Sequence, residues 1–307
     1  MGGAVPAAGH DSSTQRALRA ACEVARHHGL SCDQPTVLRD FSNVLIHLRP
    51  APVVARIPAV TATIRQGDAW LAREVAIASH LAAAGAPVVP PSRELPPGPH
   101  HCDGLIVSFW TYVEDRPEPA DPHTAGRALR ECHDALGDFD FPLPRLGGVI
   151  ESEAILSRLI DDNALAPSDA AMLRRVATRV NTELERRQPP LRPLHGDAHL
   201  LNVLNTTRGP LWADWEDTFL GPLAWDLACL VTSSRVFGTD VERSNAALAG
   251  YGSAIDPELL DLCVAARNLC GVVWSIVMER RRPDHHLRER LEGRLRWFRA
   301  RPATDCD

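Results

Sequence analysis

The chain has 307 residues, of which 45% are hydrophobic and 23% are charged, and its formal net charge at pH 7 is −6. This length and composition allow one large domain or two lobes and exclude a chain that is disordered over most of its length. The mild acidity gives no support to nucleic-acid binding. All 33 basic side chains are arginine, which excludes a P-loop lysine and Schiff-base chemistry on a protein lysine.

The N-terminal segment Met1–Ala7 lacks the basic and apolar regions of a secretory signal. The most apolar run, Leu269–Met278, is too short to cross a bilayer. We therefore expect a cytoplasmic protein without a membrane partner, present as a monomer or a homodimer. The eight cysteines include no C-x-x-C pair, and we expect buried thiols rather than a disulfide or a metal site.

The first third of the chain combines helical and β-type patterns. Apolar residues at helical spacing and a terminal glycine predict a helix over residues 13–29. Two short β-type runs, 43–48 and 52–57, predict a hairpin. A second helix is predicted over 69–84, and a strand is predicted over 104–113. The polar segment Glu114–Pro117 that follows is the predicted domain boundary.

The remainder of the chain is predicted to be mainly helical. Helices are expected over 124–136, from a cap at Ser168 onward, over 257–278 and over 286–300. Residues 191–214 interrupt this pattern and are predicted to form a loop and short strands. The chain therefore has a β-containing first third and a helical remainder with a polar insert.

The most specific pattern lies in that insert, where polar residues follow one another at fixed spacing. It runs His195-Gly196-Asp197-Ala198-His199-Leu200-Leu201-Asn202, and Asp214 follows. Phosphoryl transfer from ATP needs a carboxylate that orients or deprotonates the attacking hydroxyl, oxygen ligands for Mg²⁺, and positive charge near the phosphates. Asp197, Asn202 and Asp214 supply donors of the kind that Mg²⁺ prefers. His195, Asp197 and Asn202 also have the offsets of the protein-kinase catalytic loop.

With these residues the sequence resembles the aminoglycoside phosphotransferase family, which also includes choline, macrolide and other small-molecule kinases. Three motifs carry the resemblance, and the order of elements before them also fits, so it spans most of the chain. The motifs are H-G-D-x-H-x-x-N at 195–202, D-[FW]-[ED] at 214–216 and W/Y-D-L-A at 225–228.

The resemblance implies a role for each matching residue of the insert. Asp197 resembles the catalytic base, and Asn202 and Asp214 resemble the Mg²⁺ ligands. His195 and Asp226 resemble residues that hold the loop in place.

The resemblance also implies nucleotide-binding residues in the first third of the chain. Arg56, in the segment Val-Val-Ala-Arg-Ile, resembles the basic residue that meets the α- and β-phosphates, and Glu74 resembles its helical ion-pair partner. The segment Phe109–Val113, with Trp110 and Tyr112, resembles the one that seats adenine.

Two positions depart from the family pattern. The usual lysine is Arg56, which can bind phosphate through two N–H groups but never loses its proton. The segment Asp40–Val44 stands in place of a G-x-G-x-x-G loop, and there Ser42 and Asn43 could bind phosphate.

Other interpretations of these residues remain open. Arg56 could be a surface cation and Glu74 a solvated helix residue, while Trp110 and Tyr112 could be core or wall residues. The Arg56 replacement and the missing glycines are the reason to keep a catalytically inactive kinase-like binding module as an alternative. His195 and His199 are four residues apart and could be a zinc pair in a metal-dependent hydrolase, although Gly196 disfavours a helix there.

The sequence as a whole predicts an α+β, bilobal protein-kinase-like fold. Residues 1–113 form an N-lobe with a small nucleotide-binding β-sheet and a helix, and residues 114–307 form a mainly helical C-lobe with the catalytic loop and the acceptor site. The predicted activity is ATP- and Mg²⁺-dependent transfer of the γ-phosphoryl group to a hydroxyl of a small molecule, such as an aminoglycoside or another antibiotic.

The acceptor is the least determined part of this prediction. Choline-like, sugar, amino-alcohol, nucleoside and macrolide acceptors also remain open. Six acidic residues could form a pocket for a cationic antibiotic and could equally be solvated helix ends. They are Glu151, Glu153, Asp161, Asp162, Glu216 and Asp217.

Overall fold

The computed structural model describes residues 12–301, which divide into two compact units. The first unit comprises residues 12–79 and 89–114, and the second comprises residues 80–88 and 115–301. The division after Glu114 lies beside the predicted lobe boundary at 113/114. Residues 80–88, which the sequence prediction assigned to the N-lobe, belong to the second unit.

The first unit is built on a five-stranded antiparallel sheet with the order β1-β2-β3-β5-β4. Its strands are β1 Cys32–Asp40, β2 Asn43–Pro50, β3 Val53–Pro58, β4 His100–Cys102 and β5 Leu105–Thr111. Its helices are α1 Ser12–His27 and α2 Ala69–Ala83, and the last residues of α2 belong to the second unit.

Alternation along the strands gives this sheet one mainly apolar face. Val44, Ile46 and Leu48 of β2 point to the same side as Ala55 of β3 and Phe109 of β5, and all five are buried. The buried side of α1 packs on this face. The hydrophobic core of the first unit therefore lies between α1 and the sheet.

The second unit is mainly helical. Its helices are α3 Pro122–Ala135, α4 Gly147–Asp161, α5 Pro167–Arg187, α6 Ala224–Phe237, α7 Val241–Tyr251, α8 Pro257–Arg281 and α9 His285–Arg299. Two small antiparallel ladders pair β6 Leu191–Leu194 with β9 Phe219–Pro222, and β7 Val203–Thr206 with β8 Gly209–Trp212. The long helix α8 packs against α4, α5, α6 and α9 and forms the centre of the unit.

The predicted elements are present, and the structure adds others. The elements that the sequence analysis missed include β1, an edge strand with largely exposed side chains, and α6, in which residues 224–232 are all buried. Neither segment has the one-sided periodicity on which the prediction relied. The predicted cap at Ser168 is wrong, because α5 begins at Pro167 with Ala166 at the N-cap position.

Two further findings differ from the sequence expectations. Cys22 and Cys32 form a disulfide that joins α1 to β1, whereas buried thiols were expected. Among residues 12–301, α8 is the one helix long and apolar enough to cross a membrane, and 61% of its most apolar 18-residue segment is buried inside the protein. Buried core helices of globular proteins have the same length and composition, so this finding is only weak evidence for a membrane-spanning helix.

Candidate active site

The predicted catalytic loop begins directly after β6 and ends in a short 3-10 turn, residues 200–202, that leads into β7. The hairpin β7–β8 then returns the chain to the same place. Ala213 N donates to Asn202 O at 2.9 Å, so that Asp214, the next residue, lies beside Asn202. The local fold therefore brings Asp197, Asn202 and Asp214 together, as their spacing predicted.

The Asp197 carboxylate is held from both sides. His199 Nε2 lies 3.2 Å from Asp197 Oδ2, and Arg267 Nη2 donates to Asp197 Oδ1. Burial alone would raise the pKa of Asp197, but the positive charges of His199 and Arg267 outweigh it and hold that pKa well below its usual value. Asp197 is therefore an ionised, oriented hydrogen-bond acceptor at neutral pH.

Arg267 is the main residue of this site that the sequence analysis missed. It lies on α8, far along the chain from Asp197, and its guanidinium packs 5.5 Å from the centre of the Trp225 ring. A signal was present, because Arg267 stands two residues before the most apolar run of the sequence, within the predicted helix 257–278. Such a residue is rarely buried without a charged partner, but periodicity alone does not identify that partner.

Asp226 fixes the backbone at the start of the loop. Its Oδ2 accepts from His195 N at 2.7 Å, and its Oδ1 accepts from Gly196 N at 2.9 Å. His133 Nε2 lies 2.9 Å from the same Oδ2, and His133 Nδ1 lies 2.9 Å from Tyr251 Oη. The carboxylate and the three residues that contact it are buried, so the geometry fits the loop-holding role that the resemblance implied for Asp226.

His195 is fully buried, and both of its ring nitrogens are engaged. Its Nε2 lies 3.0 Å from Ala213 O, and its Nδ1 accepts from Asp197 N at 3.3 Å. Burial lowers the pKa of His195 despite the nearby carboxylates, so the ring is neutral at pH 7. With both nitrogens bound to the backbone, His195 ties the loop to β8 and is not available as the zinc ligand of the hydrolase interpretation.

Gly196 occupies a position that no other residue fits. Its φ is +87°, in the left-handed region, and a Cβ there would lie 2.0 Å from Asp217 O. Trp225 Nε1 donates to Gly196 O at 2.8 Å, so all backbone polar groups of this residue are used. The glycine of the H-G-D motif is therefore required by close packing against the 215–217 turn.

The two proposed Mg²⁺ ligands present oxygen donors of the right chemistry. Asn202 Nδ2 donates to Asp197 O at 3.0 Å, which leaves the amide oxygen at the other end as the hard donor for a cation. Asp214 has a φ of +68°, which is unusual for a residue with a side chain. Such strained backbone is common at functional sites. An amide and a carboxylate oxygen are a ligand set that fits Mg²⁺.

In the first unit, the predicted ion pair between Arg56 and Glu74 is formed. Arg56 Nη1 lies 2.6 Å from Glu74 Oε2, and the two side chains are 6% and 1% exposed. Arg56 is therefore not a surface cation, and Glu74 is not a solvated helix residue. A buried pair of this kind needs good geometry to offset the loss of hydration, and the short charge-assisted hydrogen bond from Nη1 to Oε2 contributes to it.

Further candidate residues of the first unit lie on the sheet face opposite α1. The strand register places Asn43, Arg56 and Trp110 on this face. The ring of Tyr112 stacks on His47 with centroids 3.8 Å apart, and Trp110 Nε1 donates to Ser108 Oγ at 3.0 Å.

The segment in place of the glycine-rich loop is a tight hairpin turn between β1 and β2. Ser42 O accepts from Ala59 N and Val60 N, both at 3.0 Å, and this ties the turn to the end of β3. Asn43 is buried. Ser42 is thus held by its backbone at the turn, and its hydroxyl and the Asn43 amide are the polar groups that the segment offers.

Both the sequence and the fold of this chain are similar to those of known phosphotransferases. A family model described as the phosphotransferase enzyme family matches residues 33–263, which is most of the chain. This chain belongs to the phosphotransferase enzyme family. The predicted enzyme class, a small-molecule kinase, is thereby confirmed. No curated protein sequence matches the chain.

Solved structures of such kinases share the fold. A choline kinase from Streptococcus pneumoniae has a TM-score of 0.68 at 12% identity and covers 92% of this chain and 99% of its own. An amicoumacin kinase solved in complex with AMP-PNP, Ca²⁺ and Ami has a TM-score of 0.69 at 12% identity, with 94% and 96% covered. An aminoglycoside phosphotransferase from Streptomyces rimosus, solved with ADP and streptomycin, has a TM-score of 0.59 at 19% identity, with 82% and 98% covered. The predicted kinase-like α+β fold is confirmed.

The buried Arg56–Glu74 pair gives a first testable prediction. Replacing Arg56 with methionine takes the guanidinium away from a buried carboxylate, and we expect the free energy of unfolding to fall by about 3 kcal/mol. The double variant Arg56→Met with Glu74→Leu should recover most of that loss, because no buried charge remains. Urea unfolding of the full chain measures both. A single variant as stable as the wild type would show that the pair contributes nothing.

Proposed function

We propose that this chain transfers the γ-phosphoryl group of ATP to a hydroxyl group of a small molecule, with Mg²⁺ as the metal cofactor. The observation that carries this proposal is the convergence of Asp197 and Asn202, on a loop whose backbone is fixed by Asp226, with Asp214 at the end of the adjoining hairpin. A hydrogen-bonding carboxylate beside hard oxygen ligands is what this reaction requires from a protein.

In the proposed reaction, the acceptor oxygen forms a bond to the γ-phosphorus while the bond from phosphorus to the β,γ-bridging oxygen breaks, and ADP leaves with that electron pair. Asp197 orients the hydroxyl and accepts its proton. Because the pKa of Asp197 is held low, it is a weak base. A loose transition state tolerates this, since positioning contributes more than basicity.

Asn202 and Asp214 would hold Mg²⁺ through oxygen atoms, and the bound ion supplies charge neutralisation for the phosphates. Arg56, kept in place by Glu74, would neutralise phosphate charge from the N-lobe in the role that a lysine has in related kinases. Ser42, Asn43, Trp110 and Tyr112 would contact the nucleotide; their support is the family resemblance, and for Asn43 and Trp110 also the sheet face that they share with Arg56.

The proposal also includes the chemical class of the acceptor. The proteins of similar structure are described as a choline kinase, an amicoumacin kinase and an aminoglycoside phosphotransferase. An antibiotic or a metabolite with a free hydroxyl group is therefore the acceptor class to test.

A screen for ADP release tests this proposal. Purified protein is incubated with ATP, with or without MgCl₂, and with a panel of aminoglycosides, macrolides, nucleosides, sugars, hydroxy acids, choline and amino alcohols. We expect ADP release that depends on both Mg²⁺ and at least one acceptor and that is lost in Asp197→Ala. An inactive binding module predicts nucleotide binding without acceptor-dependent ADP release, and that result would overturn the proposal.

A further inference from the structure

Two largely buried arginine side chains lie near each other on neighbouring helices, one of them beside the proposed catalytic carboxylate, and the reaction described above uses neither. Arg267 of α8 donates to Asp197 Oδ1 and is 14% exposed. Arg294 of α9 donates through Nη1 to Asn268 Oδ1 at 2.9 Å. Both belong to the second unit, and the acceptor hydroxyl must approach the carboxylate that Arg267 touches.

The hydrogen-bonding capacity of these guanidinium groups is not used up within the protein. Among residues 12–301, the Nε atoms of both Arg267 and Arg294 are buried and have no hydrogen-bond partner. Arg267 Nη1 reaches Cys270 Sγ at 3.4 Å, and sulfur is a weak acceptor. Buried donors are nearly always satisfied in native proteins, so an unsatisfied one calls for a functional explanation.

A glycine on α8 provides the space that the Arg294 guanidinium occupies beside Arg267. Gly271 lies one helical turn after Arg267, and a Cβ there would come within 2.3 Å of Arg294 Cζ. The glycine therefore makes room for the second guanidinium against α8. Burial, with the charges of Arg290 and Arg267, lowers the pKa of Arg294 to about 10, which still leaves Arg294 charged at neutral pH.

The acidic residues that could have recognised a cationic acceptor are partly engaged elsewhere. Glu153 Oε1 accepts from Asn181 Nδ2, and Asp162 binds Arg280 at 2.9 Å. These contacts engage two of the six carboxylates that the sequence suggested, while the charge of a third, Asp217, acts on Arg267. The side chain that reaches the catalytic carboxylate from α8 is a cation instead.

We propose that Arg267 recognises the acceptor. Its guanidinium, packed on Trp225, donates to a carboxylate or another oxygen group next to the hydroxyl that is phosphorylated. The preferred acceptors are then hydroxy acids, followed by uncharged polyols, whereas compounds with an ammonium group at that position are disfavoured. This inference rests on the proposed function and adds an acceptor class to it.

The test compares acceptors that share one carbon skeleton and differ in charge. Gluconate, glucose and glucosamine are measured with the full chain, ATP and MgCl₂, in wild type, Arg267→Gln and Arg267→Lys. Every acceptor found by the ADP-release screen is sorted by charge in the same way, so that the outcome does not depend on these three compounds. Arg280→Gln is the matched control, because Arg280 is on the same helix but is exposed and binds Asp162.

We expect kcat/KM to be highest for the anionic acceptors and lowest for the ammonium compounds. In Arg267→Gln, kcat/KM for anionic acceptors should fall by about 30-fold or more, mainly through KM, while KM for ATP is unchanged. Arg267→Lys should recover part of the loss, and Arg280→Gln should behave like the wild type. If Arg267→Gln does not fold, the preference of the wild-type protein for anionic over cationic acceptors still tests the inference.

Two results would overturn the inference. One is that all acceptors found are cationic; the other is that Arg267→Gln lowers kcat/KM equally for anionic, neutral and cationic acceptors, as a purely structural residue would. Both differ from a failure of the proposed function, in which no acceptor of any charge stimulates ADP release.

Discussion

Asp197→Asn is expected to lower kcat for phosphoryl transfer by about 10²- to 10⁴-fold, the range typical of a lost general base. The amide keeps the shape of the side chain, and its oxygen can still accept from Arg267. The loop backbone is held by Asp226 rather than by Asp197, so the fold and nucleotide binding should survive. The loss would therefore lie in kcat and not in the dissociation constant for Mg²⁺–ATP.

This prediction is checked by measuring ADP release at saturating acceptor and by titrating a fluorescent ATP analogue into the same protein. Asp261→Asn is a suitable control, because Asp261 is an exposed aspartate that binds only Arg235 at 3.2 Å among the described residues. Turnover of Asp197→Asn close to that of the control would contradict the role assigned to Asp197.

Asp226→Ala is expected to have the largest effect on stability. The substitution leaves the N–H groups of His195 and Gly196 and the ring of His133 without their acceptor in the interior of the second unit. Removing a buried carboxylate with such partners costs about 3–5 kcal/mol. We expect a loss of that size in the free energy of unfolding, measured with urea.

The matched control is Asp261→Ala, which breaks an exposed ion pair and should cost less than about 1 kcal/mol. If both variants unfold at the same urea concentration, the Asp226 network does not hold the loop. Asp226→Asn keeps the shape of the side chain but removes its charge. Its single amide oxygen cannot accept from all three donors, so we expect a loss of stability here as well.

Most residues of the candidate active site could be predicted from the sequence, because they are close together along the chain. Asp197, Asn202 and Asp214 lie on one loop and one hairpin, so their spacing alone indicated that they would converge. The Arg56–Glu74 pair spans a strand and a helix. It could be named only from the resemblance to known kinases, and the structure shows it formed.

The contact between Arg267 and Asp197 could not be predicted from the sequence. Arg267 is separated from Asp197 by 70 residues, and the contact depends on how α8 packs in the second unit. Helix α6 shows a related limit: residues buried on all sides leave no periodic pattern. Gly196 is intermediate, since its place in the motif was evident but the close approach of Asp217 O was not.

The most direct test of the central claim is the fate of the γ-phosphoryl group. The wild-type protein is incubated with MgCl₂, an acceptor from the screen and ATP labelled with ¹⁸O in its γ-phosphoryl group, and the acceptor is analysed by mass spectrometry. We predict that the acceptor gains a single labelled phosphoryl group on a hydroxyl oxygen, in an amount equal to the ADP formed. Release of ADP with labelled inorganic phosphate, while the acceptor stays unchanged, would contradict the account.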